Sequence, residues 1–152
     1  MALKNIQSQY RSLMHYCILW WRPAWMVKGR IQTSGFEKIE QSKQQGKQVI
    51  VLLLHNVGLE FAIAGLSMNF DTNGPYKAMR NPVVDWVVAC GRLRFGRGKA
   101  KIFTREDGMR PLIKETRAGR VLVYLADEDL GPDRSVFVPF YGVPKATIPV
   151  LG

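Results

Sequence analysis

The sequence predicts an α/β fold: a mixed, largely parallel sheet with crossover helices. Three observations predict it. Two runs, residues 48–54 and Arg120 to Ala126 (RVLVYLA), are strand-sized and almost wholly apolar, as strands buried on both faces are. Helical patterns alternate with these and with shorter strand patterns, which implies right-handed crossovers. The longest aliphatic stretch, Val49 to Leu54, is six residues, too short to span a bilayer as a helix.

Taken in order, residues 1–30 read as a basic amphipathic helix with an aromatic end. Tyr10, Met14, Ile18 and Trp21 recur at near-helical spacing, and Pro23 ends the pattern. This stripe suits either a membrane interface or a core face. Gln41 to Lys47 (QSKQQGK) closes a helix in a turn. The strand at 48–54 is expected to be central and parallel, being too hydrophobic for a wet face. Leu59 to Met68 reads as a helix and Asn73-Gly74-Pro75 as a turn. Asn81 caps a helix with Pro82 at its first position, leading into Val83 to Arg94. Lys101 to Thr104 is a short strand, Asp107 opens a helix that Gly119 closes, and the second apolar strand follows.

At 152 residues the chain is sized for one domain, 47% hydrophobic and 22% charged, which argues against disorder. No secretory signal pattern is present, and two cysteines, Cys17 and Cys90, have neither metal-ligand spacing nor disulfide-scaffold density. Net charge is +10. Residues 1–30 hold five cations (Lys4, Arg11, Arg22, Lys28, Arg30) and no acid. Residues 77–120 hold twelve cations against four acids, hence +8. Such a surface favours an anionic membrane face, a phosphorylated substrate or an acidic protein. Nucleic acid is disfavoured, since no helix-turn-helix, RNA-recognition or OB signature accompanies the charge. A basic binding module without catalysis is the alternative outside enzymes.

Two places carry chemistry. His55-Asn56-Val57-Gly58-Leu59-Glu60 begins at the carboxyl end of the strongest strand, where ligand sites of open α/β sheets collect. On one helix a separation of five would put His55 and Glu60 about 140° apart. Across a strand–turn–helix corner they can converge, giving a general base with a carboxylate partner. The plain alternative is a capping Glu60 and a partly buried His55. Ser67 has no nucleophile-elbow context, so activation of a hydroxyl on the substrate fits better than serine hydrolysis. The second place, Asp127-Glu128-Asp129-Leu130-Gly131-Pro132, follows the second apolar strand. It can orient a basic residue, form a solvated loop or bind a metal, although its ligand set is thin. Between them lie Gly91-Arg92-Leu93-Arg94, Arg97 and Lys99, with arginine forks suited to phosphate or an oxyanion.

Together these residues resemble the late acyltransferases of lipid A biosynthesis, the lauroyl/myristoyl transferases of Gram-negative bacteria. The matching blocks are HNVGLE, RNPVVDWVVACGRLRFG, ADEDLGP, and RSVFVPFYG with Ala146 and Thr147 after it, in register over residues 36–147. The resemblance implies a glycerolipid-acyltransferase-like core at 36–147 behind a membrane-facing segment at 1–30, together one partial domain, 1–152. Members of the family are roughly twice as long, with an anchor helix before and further elements after, so the resemblance leads us to expect a chain incomplete at both ends. It also implies a fatty acyl chain moved from acyl carrier protein to a hydroxyl of a lipid A precursor at the cytoplasmic face of the inner membrane, with no cofactor and no metal. His55 would be the general base and Glu60 its partner. Gly91 and Arg92 would serve phosphate or oxyanion binding, and Asp127 would orient a neighbouring base. Lys77 stands where an arginine is expected, exchanging a bidentate fork for a point charge. The alternatives are a truncated inactive remnant and a glycerolipid-type acyltransferase. The dyad reading expects either His55→Ala or Glu60→Ala to abolish transfer without unfolding the chain.

Overall fold

A computed structural model describes residues 2–96, 100–104, 106–127, 131 and 135–147. Its elements are α1 (Ala2–Trp21), α2 (Ala24–Lys28), α3 (Phe36–Gln44), β1 (Ile50–Leu53), α4 (Leu59–Asn69), β2 (Thr72–Pro75), α5 (Pro82–Leu93), β3 (Lys101–Phe103), α6 (Met109–Arg117), β4 (Val121–Leu125), β5 (Val136–Phe140) and β6 (Val143–Thr147). Among the described residues, β1, β4, β2 and β3 form a sheet in that order, with every pairing parallel. The antiparallel part of the mixed prediction lies apart, in the β5–β6 hairpin.

Because parallel crossovers are right-handed, α4 and α5, which step outward along the sheet, lie on one face. Helix α6 steps back from β3 to β4 and lies on the other face, packed on β2 and β4. This return places β4 beside β1, the event that later assembles the site. Val51 and Leu53 of β1 join a core with Leu66, Phe70, Val121 and Val123.

Two expectations for the strands are corrected. β1 is outermost among the described strands rather than central, and Ile50 and Leu52 are exposed because α6 covers only the neighbouring strands. Asn73-Gly74-Pro75 is strand, not turn. Asn73 is buried and its amide donates to the Leu112 carbonyl (2.9 Å) and Thr116 Oγ1 (3.3 Å) of α6. A Cβ at Gly74 would lie 2.8 Å from the Val123 carbonyl oxygen, so a close backbone approach explains that glycine. Pro75 ends the strand, where its missing N–H is harmless.

Other boundaries agree with the sequence. Asn81 Oδ1 accepts from the Val83 and Val84 amides, and Pro82 opens α5. Asp107, by contrast, accepts from the Thr104 amide and hydroxyl, tying a loop, and α6 starts after Gly108.

The N-terminal stripe resolves into two sets. Leu19 is buried and Trp20 half-buried, facing the core. Tyr10, Met14 and Trp21 are largely exposed and Ile18 less so, so this stripe is not packed into the core of the described residues. No helix among the described residues is long and apolar enough to cross a membrane. Arg94 locks α1 to α5, donating to the Leu19 carbonyl (2.9 Å) and to that of Arg22, carbonyls left unpaired at the helix end.

Helices α1 and α5 meet at Gly91, where a Cβ would stand 2.5 Å from Trp20 Cγ. Gly91 is buried beneath that indole, so its part is close packing and not the substrate or oxyanion contact expected of it. Gly91→Ala is expected to destabilise the chain by about 1–3 kcal/mol, the cost of overpacking a filled contact. The midpoint of a urea transition checks this, and an unchanged midpoint would contradict the packing.

Candidate active site

The register of β1 and β4 builds the site. Leu53 pairs with Leu125, so two residues further along both strands His55 and Asp127 stand side by side at the carboxyl edge. The Asp127 carboxylate spans His55 twice. Oδ2 accepts the His55 amide (2.8 Å) and Oδ1 bonds the imidazole Nδ1 (2.8 Å). Since a carboxylate can only accept, Nδ1 of the neutral ring carries the proton and Nε2 keeps its lone pair. The His55 side chain is 55% exposed and that of Asp127 25%. Burial pushes the Asp127 carboxyl up, but the bonds from the His55 amide and ring, with the ring's charge, outweigh it and hold the carboxyl below its ordinary range.

The turn after His55 is held locally. Asn56 Oδ1 accepts the Gly58 amide (2.8 Å) and its side-chain nitrogen donates to the Leu54 carbonyl (3.0 Å). Helix α4 then begins, with Glu60 buried in its first turn.

Glu60 does not meet His55, and the expected dyad is corrected here. Arg92, in the last turn of α5, takes Glu60 with its fork. Nε reaches Oε1 (3.0 Å) and Oε2 (3.2 Å), and Nη2 reaches Oε1 (2.5 Å). A carboxylate at one helix start and a guanidinium at another's end each suit the local dipole. Arg92 is therefore committed to a protein carboxylate, not open to phosphate or an oxyanion through that fork.

Around this pair stand groups that sequence reasoning missed. Tyr76 is buried with its ring 5.7 Å from the Arg92 guanidinium carbon. Its hydroxyl donates to Asp85 Oδ1 (2.7 Å), which also accepts the Met79 amide (2.7 Å). Burial and the Asp85 carboxylate push the Tyr76 phenol up to about 12, keeping it a donor. The Tyr16 hydroxyl donates to the Val57 carbonyl (3.2 Å), and its pKa is raised by burial and by Glu60. Asp85, four residues past the Asn81 cap, sits in a first turn where an acid is common. Nothing local in the sequence ties Tyr16 to a site so far along the chain.

Lys77 is exposed in the loop after β2, at the same carboxyl edge. Ser67 is buried and bonded to Thr72 Oγ1 (3.2 Å), away from any base. Arg97, Lys99, Glu128 and Asp129 lie outside the described residues. The arrangement can therefore present Nε2 of an oriented, accessible imidazole as a base.

The chain matches the family described as bacterial lipid A biosynthesis acyltransferase over residues 1–152. It is 37% identical over 126 residues to a lipid A biosynthesis acyltransferase of Haemophilus influenzae, covering 82% of this chain and 39% of that protein. With the lipid A biosynthesis lauroyltransferase of Escherichia coli K12 it shares 30% over 146 residues, 96% of this chain and 46% of the relative. With the myristoyltransferase of the same organism it shares 33% over 127 residues, 83% of this chain and 38% of the relative. The chain thus spans less than half the length of these curated relatives. The four sequence blocks, the parallel sheet with its crossover helices and the match over residues 1–152 agree: the chain belongs to the bacterial lipid A biosynthesis acyltransferases.

Proposed function

We propose that this chain transfers a fatty acyl group from acyl carrier protein to a hydroxyl of a lipid A precursor, with His55 as general base. The observation that carries the reading is the His55 imidazole held at Nδ1 by Asp127 at the sheet's carboxyl edge, its side chain about half exposed. In the step, the acceptor hydroxyl oxygen attacks the thioester carbonyl while Nε2 takes its proton. Collapse of the tetrahedral intermediate breaks the C–S bond, and the imidazolium returns the proton to the leaving thiolate. Asp127 stabilises the imidazolium and keeps the ring oriented. The Glu60–Arg92 pair fixes the start of α4 against the end of α5 beside the base.

The outward stripe of α1, with Lys4, Arg11 and Arg22 on the same helix and its end, supports peripheral placement on an anionic membrane surface. Exposed Lys77 is suited to the phosphate of such a precursor as a point charge.

The test incubates the purified chain in detergent with acyl carrier protein thioester and a lipid A precursor, read by mass spectrometry. One added acyl group per acceptor is expected, lost in His55→Ala. Equal transfer by both proteins would contradict the assignment.

A further inference from the structure

Helix α6 departs from two local rules at once. Arg110, Lys114 and Arg117 are exposed, and helical geometry puts all three within about 60° of one another on its outer face. Arg110 and Lys114 stand four apart, and Lys114 and Arg117 three apart, like-charge spacings that weaken a helix. Arg110 also lies in the first turn, where the helix dipole disfavours a cation. Lys114 and Arg117 suit the last turn, but the row as a whole does not serve the helix.

None of the three has a hydrogen-bond or ion-pair partner among the described residues. Glu115, the acid of this helix, lies round the side. Its Oε1 accepts from Lys101 Nζ (2.8 Å) and its Oε2 from Arg120 Nε (2.8 Å). That carboxylate is thus neutralised by cations outside the helix and does not screen the row. Ahead of the helix, Asp107 is turned to the Thr104 amide and hydroxyl. Met109 and Ile113, both exposed, flank the cations with apolar surface.

Strand β3 ends at the carboxyl edge and α6 runs back from it, so Met109 and Arg110 stand at the edge that carries His55 and Asp127. The helix packs on β2 and β4, and β4 leads to Asp127. Helix α1 packs on α5, across the sheet from α6. The aromatic stripe suited to a membrane and the cationic row therefore belong to opposite sides.

Resting on the acyl-transfer reading, we propose that the Arg110–Lys114–Arg117 face of α6 docks the acidic surface of the acyl carrier protein. Three features select a protein over a membrane. The row lies across the sheet from the α1 stripe, it carries no aromatic side chain, and its first turn reaches the edge where the thioester must arrive. A partner's carboxylates turn the mutual repulsion of the three cations into attraction, which is where two broken local rules find their use.

The test titrates fluorescently labelled acyl carrier protein with the 152-residue chain and reads anisotropy. Binding is expected to weaken with salt. Arg110→Glu, Lys114→Glu and Arg117→Glu together are expected to weaken it about tenfold or more, since like charges then face each other. The same three positions changed to Gln, a good helix former, give the variant whose folding is not at risk, and a smaller loss in the same direction is expected. Lys28→Glu, Lys38→Glu and Lys47→Glu together change the net charge equally at exposed positions elsewhere and are expected to leave carrier binding near the parent value. In the transfer assay the α6 variants are expected to raise KM for the carrier thioester, keep kcat, and leave transfer from a small pantetheine thioester unchanged. Absent carrier binding by the parent, parental binding by the folded Gln variant, or equal losses in both Glu sets would overturn the proposal. So would α6 variants that lose binding to phosphatidylglycerol vesicles while keeping the carrier. Carrier binding requires no turnover, so the two readings fail separately: transfer with an unchanged carrier KM in the α6 variants removes the docking face, and α6-dependent binding without transfer removes the reaction.

Discussion

Asp127→Asn is expected to lower acyl transfer by about 10²–10⁴-fold while leaving the fold intact. The asparagine can turn an amide N–H toward His55 Nδ1, which then accepts, leaving the proton on Nε2 where the lone pair is needed. The chain should remain folded because Asp127 sits at a partly exposed strand end and buries little. The carboxyl of Asp127 lies below its ordinary range, so the stability it gives is present above the unfolded carboxyl's pKa and is lost as pH falls through the folded one. Its hold on His55 therefore persists through neutral and mildly acidic pH. Circular dichroism with the transfer rate checks the prediction, and transfer within a few-fold of the parent would sink it.

Glu60→Ala is expected to act first on stability. It leaves Arg92, whose side chain is 26% exposed, without its carboxylate beside the aromatic ring of Tyr76. Breaking a buried pair from one side costs about 3–5 kcal/mol, and partial exposure of Arg92 places this case toward the lower figure. That differs from the sequence-based expectation of lost transfer in an intact chain. The double variant Glu60→Leu with Arg92→Met separates the two, because replacing both partners by apolar groups is near neutral for stability. A folded double variant that transfers normally would confine the pair to structure. A Glu60→Ala chain as stable as the parent would contradict the ion-pair account.

Much of the fold was legible because it is written in local terms. Proline and asparagine at 81–82 specify a helix start through one missing donor and one side-chain acceptor, and the structure has both. The apolar run at 120–126 becomes a buried strand. The Asn73-Gly74-Pro75 strand was not legible, because its turn-like composition is overridden by α6 receiving the Asn73 amide and by β4 needing the space at Gly74. The site was half legible for a similar reason. His55 and Asp127 each end an apolar strand, and both were singled out. Their partnership depends on strand order, which α6 sets by returning β4 to the side of β1. Spacing suggested Glu60 for His55 because only four residues intervene along the chain. The competing cation, Arg92, reaches Glu60 only once α5 packs beside α4.

Asp127 fixes the neutral His55 ring with its proton on Nδ1 and its lone pair on Nε2. Nitrogen chemical shifts of the His55 ring, measured in the folded chain, report this directly. In the neutral form of the ring the proton is expected on Nδ1 in the parent and redistributed toward Nε2 in Asp127→Asn. A neutral parent ring protonated at Nε2 would contradict it.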